Sequence, residues 1–269
     1  MNYERRTNKA FTLIELVVAI AILVMVIFFA SMIFRVSISS YRAAAANTEM
    51  MQKLRAITDQ LNADFKGVRR TFPGTVRHNL ISGLIRSDSI AFLANGDFQS
   101  TRQPAVGRTV VGNVASIFYG LSDPPTTKSK DKILVRRQTI LTYDSSVPPK
   151  DFLDLDEEYY TKSLAEWRVQ PPDPNYWIMN PTIDPNDEKD LVMYMAKGVD
   201  DFAIQFARWD PAFVNYRWWP TNQEISLISG LQPIQPIGAD AIKFTFTLYD
   251  SKGIIKNGRI FTHIVYLGD

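Results

Sequence analysis

The stretch Phe11-Thr12-Leu13-Ile14-Glu15-Leu16-Val17-Val18-Ala19-Ile20-Ala21-Ile22-Leu23-Val24-Met25-Val26-Ile27-Phe28-Phe29-Ala30-Ser31-Met32-Ile33-Phe34 decides how this chain is built. Its only polar side chains are Thr12, Glu15 and Ser31. At about 1.5 Å per residue, a helix of this length covers the roughly 30 Å hydrocarbon core of a bilayer. Each Leu, Ile, Phe and Val favours insertion by about 0.3 to 0.6 kcal/mol, roughly 5 to 10 kcal/mol together, against at most about 3 kcal/mol lost to Glu15. Insertion wins despite the acid. Arg5, Arg6 and Lys9 outweigh Glu4 ahead of the span. The positive-inside rule therefore leaves the leader in the cytoplasm and sends everything after Phe34 across the membrane.

A secretory signal peptide fits poorly, because its apolar core is about 7 to 15 residues long and is followed closely by a small-residue cleavage site. Ala43 to Ala46 would supply such a site only well beyond Phe34. A plain signal anchor explains the length but not Glu15, since an acid within lipid is costly and marks function. The uninterrupted length excludes a buried soluble helix. What remains is a span whose acid needs a partner.

The residues Ala10-Phe11-Thr12-Leu13-Ile14-Glu15 resemble the class III signal of type IV prepilins and pseudopilins. The resemblance implies a prepilin peptidase that cuts between Ala10 and Phe11 and methylates the new amino terminus of Phe11. Glu15 is then the fifth mature residue. The family usually has Gly before the cut, and Ala10 keeps the small size. Cleavage would place a positive amine on Phe11, and a carboxylate in low dielectric is tolerable when paired, so Glu15 is expected to meet such an amine on a neighbouring subunit. The expected organisation is a leader over 1–10, a transmembrane and assembly helix over 11–34, its amphipathic continuation over 35–70 and a periplasmic domain over 71–269.

The 269 residues leave room for one substantial outer domain. The absence of cysteine excludes disulfides, thiolate catalysis and cysteine metal sites. A net charge of +2 with 22% charged residues carries no signal for nucleic acid or an acidic substrate.

Beyond Phe34, Met50, Leu54, Ile57, Leu61 and Phe65 recur at helical spacing, with Glu49, Lys53, Arg55 and Asp59 between them. No Pro or Gly occurs before Gly67, so one helix from Leu13 to Phe65, roughly 80 Å long, is expected, with a break around Ser37 to Ser40 as the alternative. After Phe72-Pro73-Gly74 the period shifts toward two. Strands are expected at 89–93, 116–121, 133–143, 191–196, 202–209, 241–249 and 260–267. In the last pair Ile242, Phe244, Phe246 and Leu248 alternate with polar residues, and Asp250 to Gly253 and Asn257-Gly258 are turn formers. That hairpin should cover the amphipathic helix. The prolines concentrate in Asp123 to Pro125, Val147 to Pro149, Pro171 to Pro174 and around Pro181, which marks loops and an insertion over about 121–190. A short helix is possible from Asp154 to Trp167, burying Leu155, Tyr159 and Leu164. The fold class is α+β, a long helix packed on an antiparallel sheet in a pilin-like lollipop.

The outer segments resemble the J-type minor pseudopilins and the W-type minor pilins. The similarity lies in Leu54 to Arg70 with Leu61-Asn62-Ala63-Asp64 and Arg69, in Gly198-Val199-Asp200-Asp201-Phe202, in the aromatic run Trp209 to Trp219, and in Ala239-Asp240-Ala241-Ile242.

Candidates for chemistry have plainer explanations. His263 shares a strand face with Phe261 and Val265 and reads as a packed histidine. No glycine-rich loop joins a strand to a helix, so nucleotide binding is unsupported. Asp184, Asn186, Asp187, Glu188 and Asp190 crowd oxygens into one loop, but without the EF-hand glycine and distant glutamate they read as a solvated acidic loop ahead of a calcium site. Trp209, Trp218 and Trp219 either cap the core, the favoured role, or form a recognition patch. Lys128, Lys130, Lys132, Arg136 and Arg137 read as a solvated edge ahead of a DNA contact.

The expectation is thus a structural subunit and not an enzyme, with no cofactor and no metal, in the tip or initiation complex of a type II secretion pseudopilus or type IV pilus. The resemblance implies as partners other pilins or pseudopilins in a hetero-oligomeric tip complex, the prepilin peptidase, and an inner-membrane platform with its ATPase. Membrane lipid is the further partner and nucleic acid is disfavoured. The alternative is a single-span, membrane-anchored periplasmic binding module outside any filament. A tethered hydrolase using carboxylates such as Asp64 or Asp201 is a third class without a favoured pairing.

Overall fold

A computed structural model describes residues 12–66, 68, 74–82, 85–101, 109–122, 131–144, 158–161, 178–184, 186–210, 215–221, 224 and 238–268. The leader over 1–10, Phe11, Arg69, Lys128, Lys130, and the proline clusters at 123–125, 147–149 and 171–174 lie outside them.

The apolar run and its amphipathic continuation form one helix, α1 (Leu13–Phe65). Ser39 does not break it, because its hydroxyl donates to the Val36 carbonyl at 2.8 Å and satisfies itself within the helix. The first buried residue of α1 is Ala46, followed by Met50, Ile57, Leu61, Asp64 and Phe65, with Leu54 partly buried between them. That spacing of three to four residues is the stripe the sequence carries. Each fully buried Ile, Leu, Met or Phe contributes roughly 1.5 to 3 kcal/mol, so the final five turns hold the helix on the outer domain. The stretch from Leu13 to Arg42, about 45 Å of helix, is exposed throughout.

Twelve strands follow among the described residues: β1 (Gly74–Arg77), β2 (Leu80–Ser82), β3 (Ile85–Arg86), β4 (Ser89–Gln99), β5 (Val111–Leu121), β6 (Ile133–Thr142), β7 (Tyr159–Thr161), β8 (Tyr194–Lys197), β9 (Val199–Asp210), β10 (Asn215–Trp219), β11 (Ala241–Leu248) and β12 (Arg259–Tyr266). One sheet has the order β1-β4-β5-β6-β7, with β8 also on β6; the second has the order β10-β9-β11-β12; β2 and β3 pair as a separate two-stranded ribbon. All pairs are antiparallel except β6 with β7. The helix packs where the sheets converge. Phe65 stacks on Phe92 of β4 at 4.2 Å between ring centroids and meets Phe244 of β11 at 5.7 Å. The far face of β4 and β5 is buried too, with Ala91 and Phe118 against Ile178.

The hairpin β11–β12 is in uninterrupted register from Ala241 opposite Tyr266 to Leu248 opposite Arg259. Its turns use Gly253 and Gly258 at φ of +66° and +63°, values that glycine adopts without the steric cost other residues meet.

Several expectations are corrected. Residues 191–196 are not one strand, because a short helix α2 (Glu188–Leu191) precedes β8. Tyr159 is buried, but in β7 rather than in a helix from Asp154 to Trp167; most of that segment lies outside the described residues. Within the span 121–190 the strand expected at 133–143 is present as β6, and β7, which was not expected, pairs beside it. Strands β1, β2, β3 and β10 carry no alternation long enough to be seen in the sequence.

Candidate functional site

Thr12 caps α1 in an extended conformation at φ −78° and ψ 149°. Its backbone N–H and its hydroxyl both donate to Oε2 of Glu15 at 2.9 Å, and the Glu15 N–H approaches the Thr12 hydroxyl at 3.4 Å. This is a capping box, in which residues three apart satisfy donors that the first turn leaves open. The carboxylate also sits at the positive end of the helix dipole. Thr12 therefore gives Glu15 local hydrogen bonds that sequence reasoning did not anticipate, while the charge still lacks an opposite charge among the described residues. The Ser31 hydroxyl likewise donates to the Ile27 carbonyl at 2.8 Å, which removes much of its penalty in lipid.

Every side chain from Leu13 to Phe34 is exposed; Leu13 is 81% exposed, Phe28 66% and Phe34 67%. The apolar exposure continues through Val36 and Ile38 to Tyr41. A soluble monomer does not present such a rod to water, so lipid or neighbouring helices must cover it.

The other end of α1 is fixed by a buried charge. Asp64, 5% exposed, accepts from Nε and Nη2 of Arg136 on β6, each at 2.7 Å, from the Tyr119 hydroxyl on β5, and from the Gln60 amide at 3.0 Å. Arg136 also donates to Gln138 at 3.1 Å. Burial, followed by the Asp64 charge, pushes the Tyr119 hydroxyl well above the usual tyrosine range, which keeps it a donor. For Arg136 burial works toward deprotonation, and the hydrogen bonds and charge of Asp64 overcome it and raise the pKa.

A second carboxylate joins the two sheets. Asp88 accepts from His78 Nδ1 at 3.1 Å, from the Arg86 guanidinium, from the Ile204 N–H at 2.8 Å and from the Asn79 N–H at 3.2 Å. Arg86 reaches the Ile204 carbonyl at 2.9 Å, and its own N–H donates to Asp201 at 2.9 Å. Asp201 has φ of +52° at the register shift between Thr245 and Thr247, the extra residue of a β-bulge. Asp200 beside it accepts from buried Lys132. The Gly198 to Phe202 motif thus builds a joint between sheets.

Asp64, part of the motif that resembles minor subunits, pairs with Arg136; Arg69 of that motif lies outside the described residues. Asp64 and Asp201 do not share a cleft; each holds a structural joint. The described part of the basic stretch is not a solvated edge, because Lys132 and Arg137 are buried and Arg136 is paired with Asp64. Arg137 lies over the Phe118 ring at 5.1 Å, and burial brings its pKa down to about 10. In the acidic loop, Asp184 N–H donates to Asp190 at 2.7 Å and Asn186 N–H to Asp184 at 2.9 Å; among the described residues no group of three or more carboxylates and histidines could hold a metal. His263 packs as expected, within 2.9 Å of Asn62, and burial lowers its pKa. Of the tryptophans, Trp219 lies edge-on to His78, while Trp209 and Trp218 flank Tyr216 on the outer sheet face, with Trp209 45% exposed. The His78, Arg86 and Asp88 joint carried no periodic signal and was missed.

Residues 5–31 match the family model described as the prokaryotic N-terminal methylation motif. No curated protein and no solved structure matches the chain. The match supports a type IV pilin-like protein with a class III prepilin signal, anchored by a single N-terminal apolar helix and suited to pilin-type assembly.

Proposed function

We propose that this chain is a minor pseudopilin or minor pilin, a non-enzymatic subunit of the tip or initiation complex of a type II secretion pseudopilus or a type IV pilus. The observation that supports this most is the methylation motif placed at the start of a helix whose apolar half is exposed throughout in the described structure. In this proposal prepilin peptidase cuts between Ala10 and Phe11 and methylates Phe11. Residues 11–34 span the inner membrane before assembly, 35–70 complete the helix, and 71–269 lie in the periplasm, with a platform protein and its ATPase driving extraction. The capping box orients the Glu15 carboxylate at the first turn, where the Phe11 amine of a neighbour can neutralise it. That pairing fixes the axial register between subunits. Placement at the tip rather than along the shaft draws on the resemblance of Leu54 to Arg70 and Ala239 to Ile242 to minor subunits. Intact mass of the protein extracted from its native membrane is the test. Loss of Met1 to Ala10 with one added methyl group is expected, and a chain that keeps Met1 to Ala10 would overturn the proposal.

A further inference from the structure

We infer that the free edge of β12, with the groove between β12 and α1, receives an extended segment of a neighbouring, non-identical pilin-like subunit as an added strand. This rests on the proposed filament assembly and specifies where a partner docks beyond the membrane helix.

Among the described residues β12 pairs with β11 alone. Natural sheets blunt such edges with bulges, prolines or lysines. Here the ladder is regular over eight residue pairs, and the edge strand β12 contains no Pro or Lys and carries a fixed charge only at Arg259, where it begins. The Leu267 N–H donates to the Asp240 carbonyl at 2.9 Å. Antiparallel ladders alternate, so Val265, His263 and Phe261 turn their backbone groups to β11, while Ile264, Thr262 and Ile260 turn theirs outward. A row of open donors and acceptors results.

Both sides of that row suit the alternating side chains of a docked strand. On one side Phe261 and His263, with Met51, Leu54 and Asn62 of α1, line a groove of about 590 Å³. On the other, Ile260 is 71% exposed and Tyr266 64%. The groove begins on the same helix, with exposed Met51 about 15 Å beyond Tyr41, where the exposed apolar run of α1 ends. A partner drawn alongside by the first part of α1 therefore meets this edge next.

A second copy pairing β12 with β12 does not fit. Glu49 accepts from Ser251 and Lys53 donates to the Tyr249 carbonyl, both at the hairpin turn that leads into β12, and Asn62 meets His263 further along. Helix and strand thus run in the same direction. Symmetric antiparallel pairing of two β12 edges would point the two helices oppositely and take one span out of the shared membrane. The segment therefore comes from a different part of a different subunit.

Photo-crosslinking in native membranes tests this with the full chain, using p-benzoylphenylalanine in place of Thr262 and, separately, of Val24 on the membrane helix. Crosslinked peptides are sequenced by mass spectrometry. The expected result is that the Thr262 probe joins one contiguous segment of another pilin-like chain. Ile264→Lys, which places a charge on the exposed edge and leaves the core alone, should lower that yield by about tenfold and leave Val24 crosslinks unchanged. If Val24 joins other pilin-like subunits while Thr262 joins only lipid, its own chain or a second copy, the edge inference is wrong and filament assembly stands. If neither probe joins another subunit, both are wrong.

Discussion

Replacing Asp64 with alanine removes the acceptor on which three elements converge: α1 itself, β5 through Tyr119 and β6 through Arg136. The two Arg136 bonds at 2.7 Å form a bidentate pair, with the Asp64 side chain 4% and the Arg136 side chain 19% exposed. The variant leaves a largely buried guanidinium with Gln138 as its remaining acceptor among the described residues and deprives a fully buried phenol of its acceptor. Breaking a buried pair from one side costs about 3 to 5 kcal/mol. Against the 5 to 15 kcal/mol typical of a domain, Asp64→Ala should remove at least about a fifth of the stability, and about 40% at mid-range. The double variant Asp64→Leu with Arg136→Met removes both charges at similar volume and should recover to within about 1 to 2 kcal/mol of the parent. Urea denaturation of the detergent-solubilised full chain, followed by tryptophan fluorescence, reads both effects as midpoint shifts at constant slope. An Asp64→Ala midpoint within about 1 kcal/mol of the parent would refute the claim that this pair clamps the helix to the sheet.

Glu15→Val should insert into the membrane at normal levels, since the apolar run dominates insertion, yet be depleted in purified filaments or minor-subunit complexes; equal recovery would remove Glu15 from assembly. Gly258→Ala should destabilise more than Gly253→Ala, although both have similar positive φ. A Cβ at 258 would lie 2.8 Å from the Leu248 carbonyl oxygen, and one at 253 would meet nothing within 4 Å. Equal thermal midpoints for the two variants would contradict that steric account. The lowered pKa of His263 means that the unfolded chain binds its proton first as pH falls through about 6.5, so this residue withdraws stability on acidification. His263→Gln should flatten that part of the stability profile between about pH 7 and the folded pKa, and an unchanged slope would show that His263 does not supply it.

The periodic elements were legible in the sequence. Met50 to Phe65 repeats over enough turns to declare a helix face, and Ala241 to Tyr249 alternates cleanly because one face, Ile242 to Leu248, is fully buried while Lys243 and Thr245 on the other are only half-buried. Strands β1, β2, β3, β7 and β10 are two to five residues long, too short for a period of two to stand out. The basic residues misled for a different reason. Lys132, Arg136 and Arg137 look like a surface cluster in sequence, but strand pairing sends them toward Asp200, Asp64 and Phe118 in turn. Neighbours along a strand point to opposite faces, so charge density in sequence is not charge density in space.

The sequence by itself determined the long apolar rod and the acid at its first turn, because hydrophobicity in an uninterrupted run acts locally and needs no long-range partner. Tertiary structure alone decided how that rod is clamped and which strand edge stays open. The Asp64 and Asp88 joints draw partners from 72 and 116 residues away. The open edge of β12 exists only because β11 occupies its other side, which no local pattern of residues can specify.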